Sequence, residues 1–79
     1  MPELTFYYMS TCSFCIKVLR YMQEHDIEFP MKNILDHPKY RQELLEIGGK
    51  TQVPCLVIDG KALYEADHII QWLKNNLQA

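Results

Sequence analysis

The sequence lacks several features that would assign it to a class of protein at once. Its 79 residues include three cysteines, an odd number that does not suit the paired disulfides of a small secreted domain. Ten acidic residues outnumber eight basic ones, and a net charge of −2 gives no electrostatic reason to expect nucleic acid or an anionic membrane as a partner. The apolar runs, such as the segment 55–58, are far too short to span a bilayer.

A secretory signal is also missing from the start of the chain. The opening MPELTFYYM has no basic segment followed by a long apolar one. We therefore expect a cytoplasmic protein, in a reducing compartment where stable structural disulfides are rare. The length and a hydrophobic content of 48% are typical of one globular unit, so residues 1–79 are predicted to form a single domain.

The hydrophobic pattern switches repeatedly between strand and helix periodicity. In order, strands and helices are predicted at 3–9 (strand), 12–25 (helix), 27–34 (strand), 36–47 (helix), 53–64 (hairpin) and 65–77 (helix). Ser10 or Thr11 is predicted to cap the first helix, Pro30 places its strand at a sheet edge, and Asp59-Gly60 predicts an antiparallel hairpin. The order β-α-β-α-β-β-α predicts an α/β fold with helices on both faces of a four-stranded mixed sheet, its first βαβ unit parallel.

Two cysteines separated by two residues open the first predicted helix, in the stretch TCSFC at 11–15. Free N–H groups and the helix dipole stabilise a thiolate at this position, so we expect the pKa of Cys12 to fall below ~8.5. Cys15 follows one turn later on the same face, within reach of a disulfide. The pair could be a redox pair, part of a zinc site or two inert core cysteines. No second C-x-x-C or H-x₃₋₅-H supports zinc, so no metal site is predicted.

Four segments, in this order, resemble the glutaredoxin family, which has the thioredoxin fold. They are similar to the family's T-C-P-Y-C site, its T-V-P motif with a cis proline, the hairpin that follows, and the glycine-rich segment before the last helix. In this sequence they read TCSFC at 11–15, TQVP at 51–54, VIDGKAL at 57–63 and EAD at 65–67. The resemblance spans nearly the whole chain and implies a thioredoxin-like fold.

The resemblance implies a glutathione-dependent dithiol oxidoreductase that reduces protein disulfides and glutathione mixed disulfides. Cys12 would attack the substrate disulfide, and Cys15 would resolve the mixed disulfide that forms. Glutathione would be a co-substrate, no cofactor would be bound permanently, and the protein would be a monomer. The residues that would bind glutathione are Thr11, Phe14, Lys50, Thr51, Val53, Pro54, Glu65, Ala66 and Asp67. Among these, the backbone of Val53 would hold the cysteinyl part, and Asp67 with the Ala66 backbone would hold the γ-glutamyl end.

Departures from the family pattern keep two alternatives open. Ser13 replaces the usual proline, and in some relatives with serine here the site bridges an iron–sulfur cluster between two subunits with glutathione; a cluster carrier that uses Cys12 is therefore one alternative. The stretch from Leu63 to Asp67 is similar to the N-terminal domain of glutathione transferases, so a transferase-like glutathione-binding domain is the other. A transferase needs a helical second domain, for which no residues follow Ala79.

Several residues have structural interpretations beside their functional ones. Asp67 could be a carboxylate that complements the dipole of the last helix, and Lys50 a solvated surface lysine. Pro54 could be an ordinary trans proline in a turn. Cys55 could be a small core hydrophobe or an additional oxidisable thiol near Cys12, and we favour the core interpretation.

Overall fold

The computed structural model describes residues 2–77, so residues 1, 78 and 79 of the predicted 1–79 domain lie outside the described part. Seven elements follow one another in the predicted order. They are β1 (Leu4–Tyr8), α1 (Ser13–Glu24), β2 (Met31–Asn33), α2 (Pro38–Gly48), β3 (Cys55–Ile58), β4 (Lys61–Tyr64) and α3 (Ala66–Leu77). No helix within the described residues is long and apolar enough to cross a membrane.

The four strands form one mixed sheet in the order β2-β1-β3-β4. β1 and β2 are parallel, whereas β3 is antiparallel to both of its neighbours, as the βαβ and hairpin patterns predicted. β2 lies at the edge, as Pro30 indicated. The strand is shorter than the predicted 27–34, because Pro30 has no N–H to donate and contributes only its carbonyl, which accepts the Phe6 N–H at 3.0 Å.

Helices cover both faces of the sheet, because successive strand residues point to opposite sides. On one face, α1 and α3 pack against Phe6 and Leu56 through side chains that include Val18 and Ile69. On the other face, Leu44 of α2 joins a second cluster of buried side chains: Tyr7, Ile34, Cys55 and Val57. The predicted two-sided α/β architecture is confirmed.

A polar contact ties α2 to the two strands beneath it. The Tyr7 hydroxyl donates to Glu43 Oε1 at 2.8 Å, and Lys32 Nζ lies 2.6 Å from the same oxygen. The hydrogen bond from Lys32 and that from Tyr7 hold the pKa of the Glu43 carboxyl below its ordinary value. This network holds α2 against the face of the sheet opposite to the one on which α1 packs.

The start of α1 differs from the prediction. The N-cap residue is Cys12, with an extended backbone (φ −94°, ψ 120°), and neither Ser10 nor Thr11 caps the helix. Since the apolar face of α1 places Cys15, Val18 and Met22 in the core, the first helical residue is Ser13 and the cap position falls on the cysteine. The reactive position of the C-x-x-C pair therefore lies at the helix entrance itself.

Candidate active site

The cysteine pair is divided between surface and core. Cys12 is half-buried, whereas Cys15 is fully buried, and both are free thiols. Backbone hydrogen bonds hold the turn between them: the Cys12 N–H donates to the Met9 carbonyl at 3.1 Å, and the Ile16 N–H donates to the Cys12 carbonyl at 3.0 Å. The side chain of Cys12 is thus held at the exposed entrance of α1, with Cys15 beneath it.

Opposite electrostatic effects act on the two thiols. Partial burial alone would raise the pKa of Cys12, but the N–H groups of Cys15 and Phe14 and the Cys15 thiol outweigh it, so the pKa lies below the ordinary 9.0. Burial raises the pKa of Cys15 to about 12, and its hydrogen bond to Cys12 acts in the same direction. The arrangement therefore provides one thiol that is more acidic than an ordinary cysteine and one that keeps its proton at neutral pH.

A cleft of about 220 Å³ has in its lining Phe14, which lies between the two cysteines in the chain. Three chain segments form it: the start of α1, the segment before β3, and the start of α3. Its lining residues are Phe14, Gln52, Val53, Pro54, Glu65 and Ala66. The Val53–Pro54 peptide bond is cis, as predicted. The structure thus brings together Phe14, Val53, Pro54, Glu65 and Ala66, all of which the sequence had placed at a glutathione site.

The other predicted binding residues lie outside the lining of the cleft. Thr11 and Thr51 are exposed; Thr51 directly precedes the lining residue Gln52, and Thr11 directly precedes Cys12. Lys50 is exposed, and its Nζ lies 4.3 Å from the ring centroid of Tyr64, a cation–π contact. Asp67, in the first turn of α3, lies 2.7 Å from Lys17 Nζ, and the hydrogen bond from Lys17 lowers the pKa of its carboxyl.

Sequence reasoning missed three features of the site. Gln52 lines the cleft, and its position inside TQVP was the available signal. Lys17 reaches Asp67 across 50 residues of sequence, a distance at which helical spacing predicts nothing. Glu65 has a left-handed backbone with φ of 74°, a conformation that favours glycine. The family's glycine at this position was the only hint.

The third cysteine belongs to the core. Cys55 is fully buried in β3, and burial raises the pKa of its thiol to about 11. The prediction that it is a small core hydrophobe therefore agrees with its placement. A thiol of this kind remains protonated at neutral pH and reacts slowly.

A larger groove of about 560 Å³ runs along α1, on a side that contains no cysteine. It is bordered by residues that include Ser13, Ile16, Arg20 and Ile70. The lining of the smaller cleft contains no cysteine either, but it combines Phe14, from the stretch between the two cysteines, with the cis Val53–Pro54 segment. We therefore assign the chemistry to the smaller cleft.

Comparison with known proteins gives a consistent result. A family model described as Glutaredoxin matches residues 4–63. A curated relative from Clostridium pasteurianum, an uncharacterized glutaredoxin-like 8.6 kDa protein in a rubredoxin operon, is 32% identical over 57 residues, covering 72% of this chain and 76% of the relative. A probable maleylacetoacetate isomerase from Caenorhabditis elegans is 29% identical over 73 residues, which are 92% of this chain but 34% of that protein. The chain thus spans about a third of the nematode relative.

Solved structures show the same fold. The crystal structure of glutathione transferase Omega 3C from Trametes versicolor superposes with a TM-score of 0.81 at 24% identity, over 95% of this chain and 34% of that one. The shared part carries the thioredoxin-like arrangement predicted from the sequence, and the likeness to a transferase predicted from the stretch around Glu65 is confirmed at the level of the fold.

Proposed function

This chain belongs to the glutaredoxin family, and from that premise we propose that it is a glutathione-dependent dithiol thiol–disulfide oxidoreductase that acts through Cys12 and Cys15. The observation that carries the proposal is the opposed ionisation of the pair. The pKa of Cys12 is lowered at the entrance of α1, while that of Cys15 is raised to about 12 in the core. Cys12 is thereby suited to attack a disulfide first, and Cys15 to attack the mixed disulfide that results.

The proposed reaction begins with a glutathionylated protein. The Cys12 thiolate attacks the glutathione sulfur, a new disulfide forms between Cys12 and glutathione, and the protein thiolate leaves and takes up a proton. A second glutathione thiolate then attacks this disulfide, which releases oxidised glutathione and regenerates the Cys12 thiolate. For a protein disulfide, the Cys12 thiolate attacks one substrate sulfur, forms a mixed disulfide and releases the first substrate thiolate. Cys15 then loses its proton and attacks the Cys12 sulfur, which forms the Cys12–Cys15 disulfide and releases the second substrate thiolate. Two glutathione molecules reduce that disulfide in turn and leave as oxidised glutathione, which regenerates both thiols.

The cleft supports glutathione as the co-substrate. Val53 lies before β3 begins at Cys55, so its N–H and C=O are placed outside the β3 ladder and can pair with the cysteinyl part of a peptide. Ala66 is the first residue of α3, whose entrance favours a carboxylate. Phe14 is 65% exposed and can cover the mixed disulfide. Further proposed contacts to glutathione, outside the lining of the cleft, are Thr11, Lys50, Thr51 and Asp67.

The test is reduction of a glutathione mixed disulfide, coupled to recycling of oxidised glutathione. We expect Cys12→Ser to abolish turnover and Cys15→Ser to retain a substantial part of it, since glutathione itself can resolve the intermediate. Cys55→Ala is the matched control and should behave as wild type, because Cys55 is fully buried in β3 and is not among the lining residues of the cleft. Full activity in Cys12→Ser would overturn the proposal.

The chain could supply only part of the ligands of an iron–sulfur cluster. Of the three thiols, Cys15 and Cys55 are fully buried, so Cys12 is the one that could ligate a cluster, with the other ligands supplied from outside the chain. The test is to purify the protein without oxygen. A monomer with no visible absorbance would support the dithiol oxidoreductase over the cluster carrier. We expect this oxidoreductase to act in the cytoplasm on disulfide or glutathionylated proteins.

A further inference from the structure

An ion pair joins the cysteine-bearing helix to the start of α3. Lys17 Nζ lies 2.7 Å from Asp67 Oδ1, and the two side chains are 55% and 82% exposed. Asp67 directly follows Ala66, which lines the cleft. Exposed pairs of this kind contribute little to stability, so folding alone gives no strong reason for it. Asp67 adjoins the proposed glutathione cleft through Ala66, and Lys17 borders the larger groove along α1, so the pair lies between the two and is placed to take part in binding.

The chemistry of the pair matches one end of glutathione. The γ-glutamyl group carries an ammonium and a carboxylate on the same carbon, and Lys17 and Asp67 present the complementary charges side by side. Asp67 meets Lys17 through Oδ1 and has a second carboxylate oxygen that can accept from the ligand's ammonium. Lys17 has three donors, of which one is enough for Asp67.

We infer that Lys17 is a specificity-determining residue that binds the α-carboxylate of the γ-glutamyl group, while Asp67 binds its ammonium. This inference rests on the proposed function and adds to it a residue of α1. The contact lies at the far end of the ligand from the reacting sulfur, so it is equally strong in the ground state and the transition state. Such a contact affects KM and leaves kcat unchanged.

The experiment compares two mixed disulfides that differ in this one group. The first contains glutathione, and the second contains γ-aminobutyryl-cysteinyl-glycine, which lacks the α-carboxylate. Lys17→Gln should raise KM for the first by about fivefold, with kcat within about twofold of wild type, and should leave KM for the second unchanged. Lys17→Arg keeps the charge and should restore most of the affinity for the first.

Lys74→Gln is the matched control. It removes the same charge in the last turn of α3, at the other end of that helix from Asp67, and should leave both KM values unchanged. An unchanged KM in Lys17→Gln, or an equal rise for both substrates, overturns the role of Lys17 alone. Absence of turnover in the wild type with either substrate overturns the proposed function and, with it, the inference. Circular dichroism confirms that each variant is folded.

Discussion

The Cys15 thiol donates a hydrogen bond to the sulfur of Cys12, one helical turn earlier in the chain. The bond stabilises the Cys12 thiolate and holds the proton on Cys15, and it adds to the burial that raises the pKa of Cys15 and to the N–H groups that lower the pKa of Cys12. It also explains why the pair reacts in one order. Cys12, at the helix entrance, is the more acidic and the more accessible of the two thiols, and Cys15 becomes the nucleophile once Cys12 is consumed in a disulfide.

Replacing the donor should therefore make Cys12 less acidic. Alkylation requires the thiolate, so its rate rises with pH through the pKa of Cys12. In Cys15→Ala we expect the midpoint of the rate profile to move to higher pH by about one unit, the equivalent of one hydrogen bond to a charged group. Iodoacetamide labelling at a series of pH values, followed by mass spectrometry, measures this directly.

Cys55→Ala serves as the control, because Cys55 is not among the groups that act on Cys12. Its midpoint should equal that of wild type. A midpoint in Cys15→Ala at or below the wild-type value would show that the Cys15 thiol is not a donor to Cys12.

Gly48 is required by its contact with Tyr64. A Cβ at Gly48 would overlap the Tyr64 hydroxyl oxygen and would lie 3.2 Å from Ala62 Cβ. Alanine favours helices by about 1 kcal/mol over glycine, yet overpacking costs up to about 3 kcal/mol, so the clash prevails. We expect Gly48→Ala to lower the free energy of unfolding by about 2 kcal/mol, measured by urea denaturation.

Tyr64→Phe provides the complementary test. The buried Tyr64 hydroxyl has no hydrogen-bond partner within the described residues, so its removal should cost little stability. In the double variant with Gly48→Ala, part of the lost stability should return, because the overlapping atom is gone. Strictly additive effects of the two substitutions would argue against the clash.

The backbone of Glu65 predicts a gain in stability on substitution. Its φ of 74° lies in the left-handed region, where a side chain costs about 1 kcal/mol and glycine does not. Glu65→Gly should therefore raise the free energy of unfolding by up to about 1 kcal/mol. Glu46→Gly, inside α2, is the matched control and should lower it by a similar amount. Loss of stability in Glu65→Gly would contradict the prediction.

The elements of the fold could be predicted because local patterns determine them. The spacing of Cys15, Val18 and Met22 defined the buried face of α1. Asp59-Gly60 predicted the hairpin, and both residues have the positive φ (49° and 83°) of a two-residue hairpin turn. Pro30 correctly indicated an edge strand, although it also shortened that strand.

The parts that could not be predicted depend on contacts between distant segments. Nothing near Lys17 in the chain indicates that it meets Asp67, since the packing of α1 against α3 alone brings them together. The prediction of the N-cap of α1 was wrong. The hydroxyl side chains of Ser10 and Thr11 suggested ordinary capping, whereas burial of the apolar face makes the helix begin one residue later than predicted. The cap position thus falls to Cys12, which is the functional one.

We expect that proline can replace Ser13 without disrupting the candidate active site. It is the first residue of α1, where proline is tolerated, and Cys12 before it has the extended backbone that a residue preceding proline prefers. The N–H groups that lower the pKa of Cys12 belong to Phe14 and Cys15, which the substitution leaves in place. We expect Ser13→Pro to raise the free energy of unfolding by about 0.5 kcal/mol and to leave the alkylation midpoint of Cys12 unchanged.

Ile16→Pro is the contrasting variant. The Ile16 N–H donates to the Cys12 carbonyl at 3.0 Å, so proline there breaks the first turn and should cost about 3 kcal/mol or more. If Ser13→Pro instead moves the alkylation midpoint to higher pH, the serine itself contributes to the acidity of Cys12. An unchanged midpoint means that the entrance of α1 makes Cys12 acidic whichever residue follows it, since the two N–H groups and the Cys15 thiol are the same in both proteins.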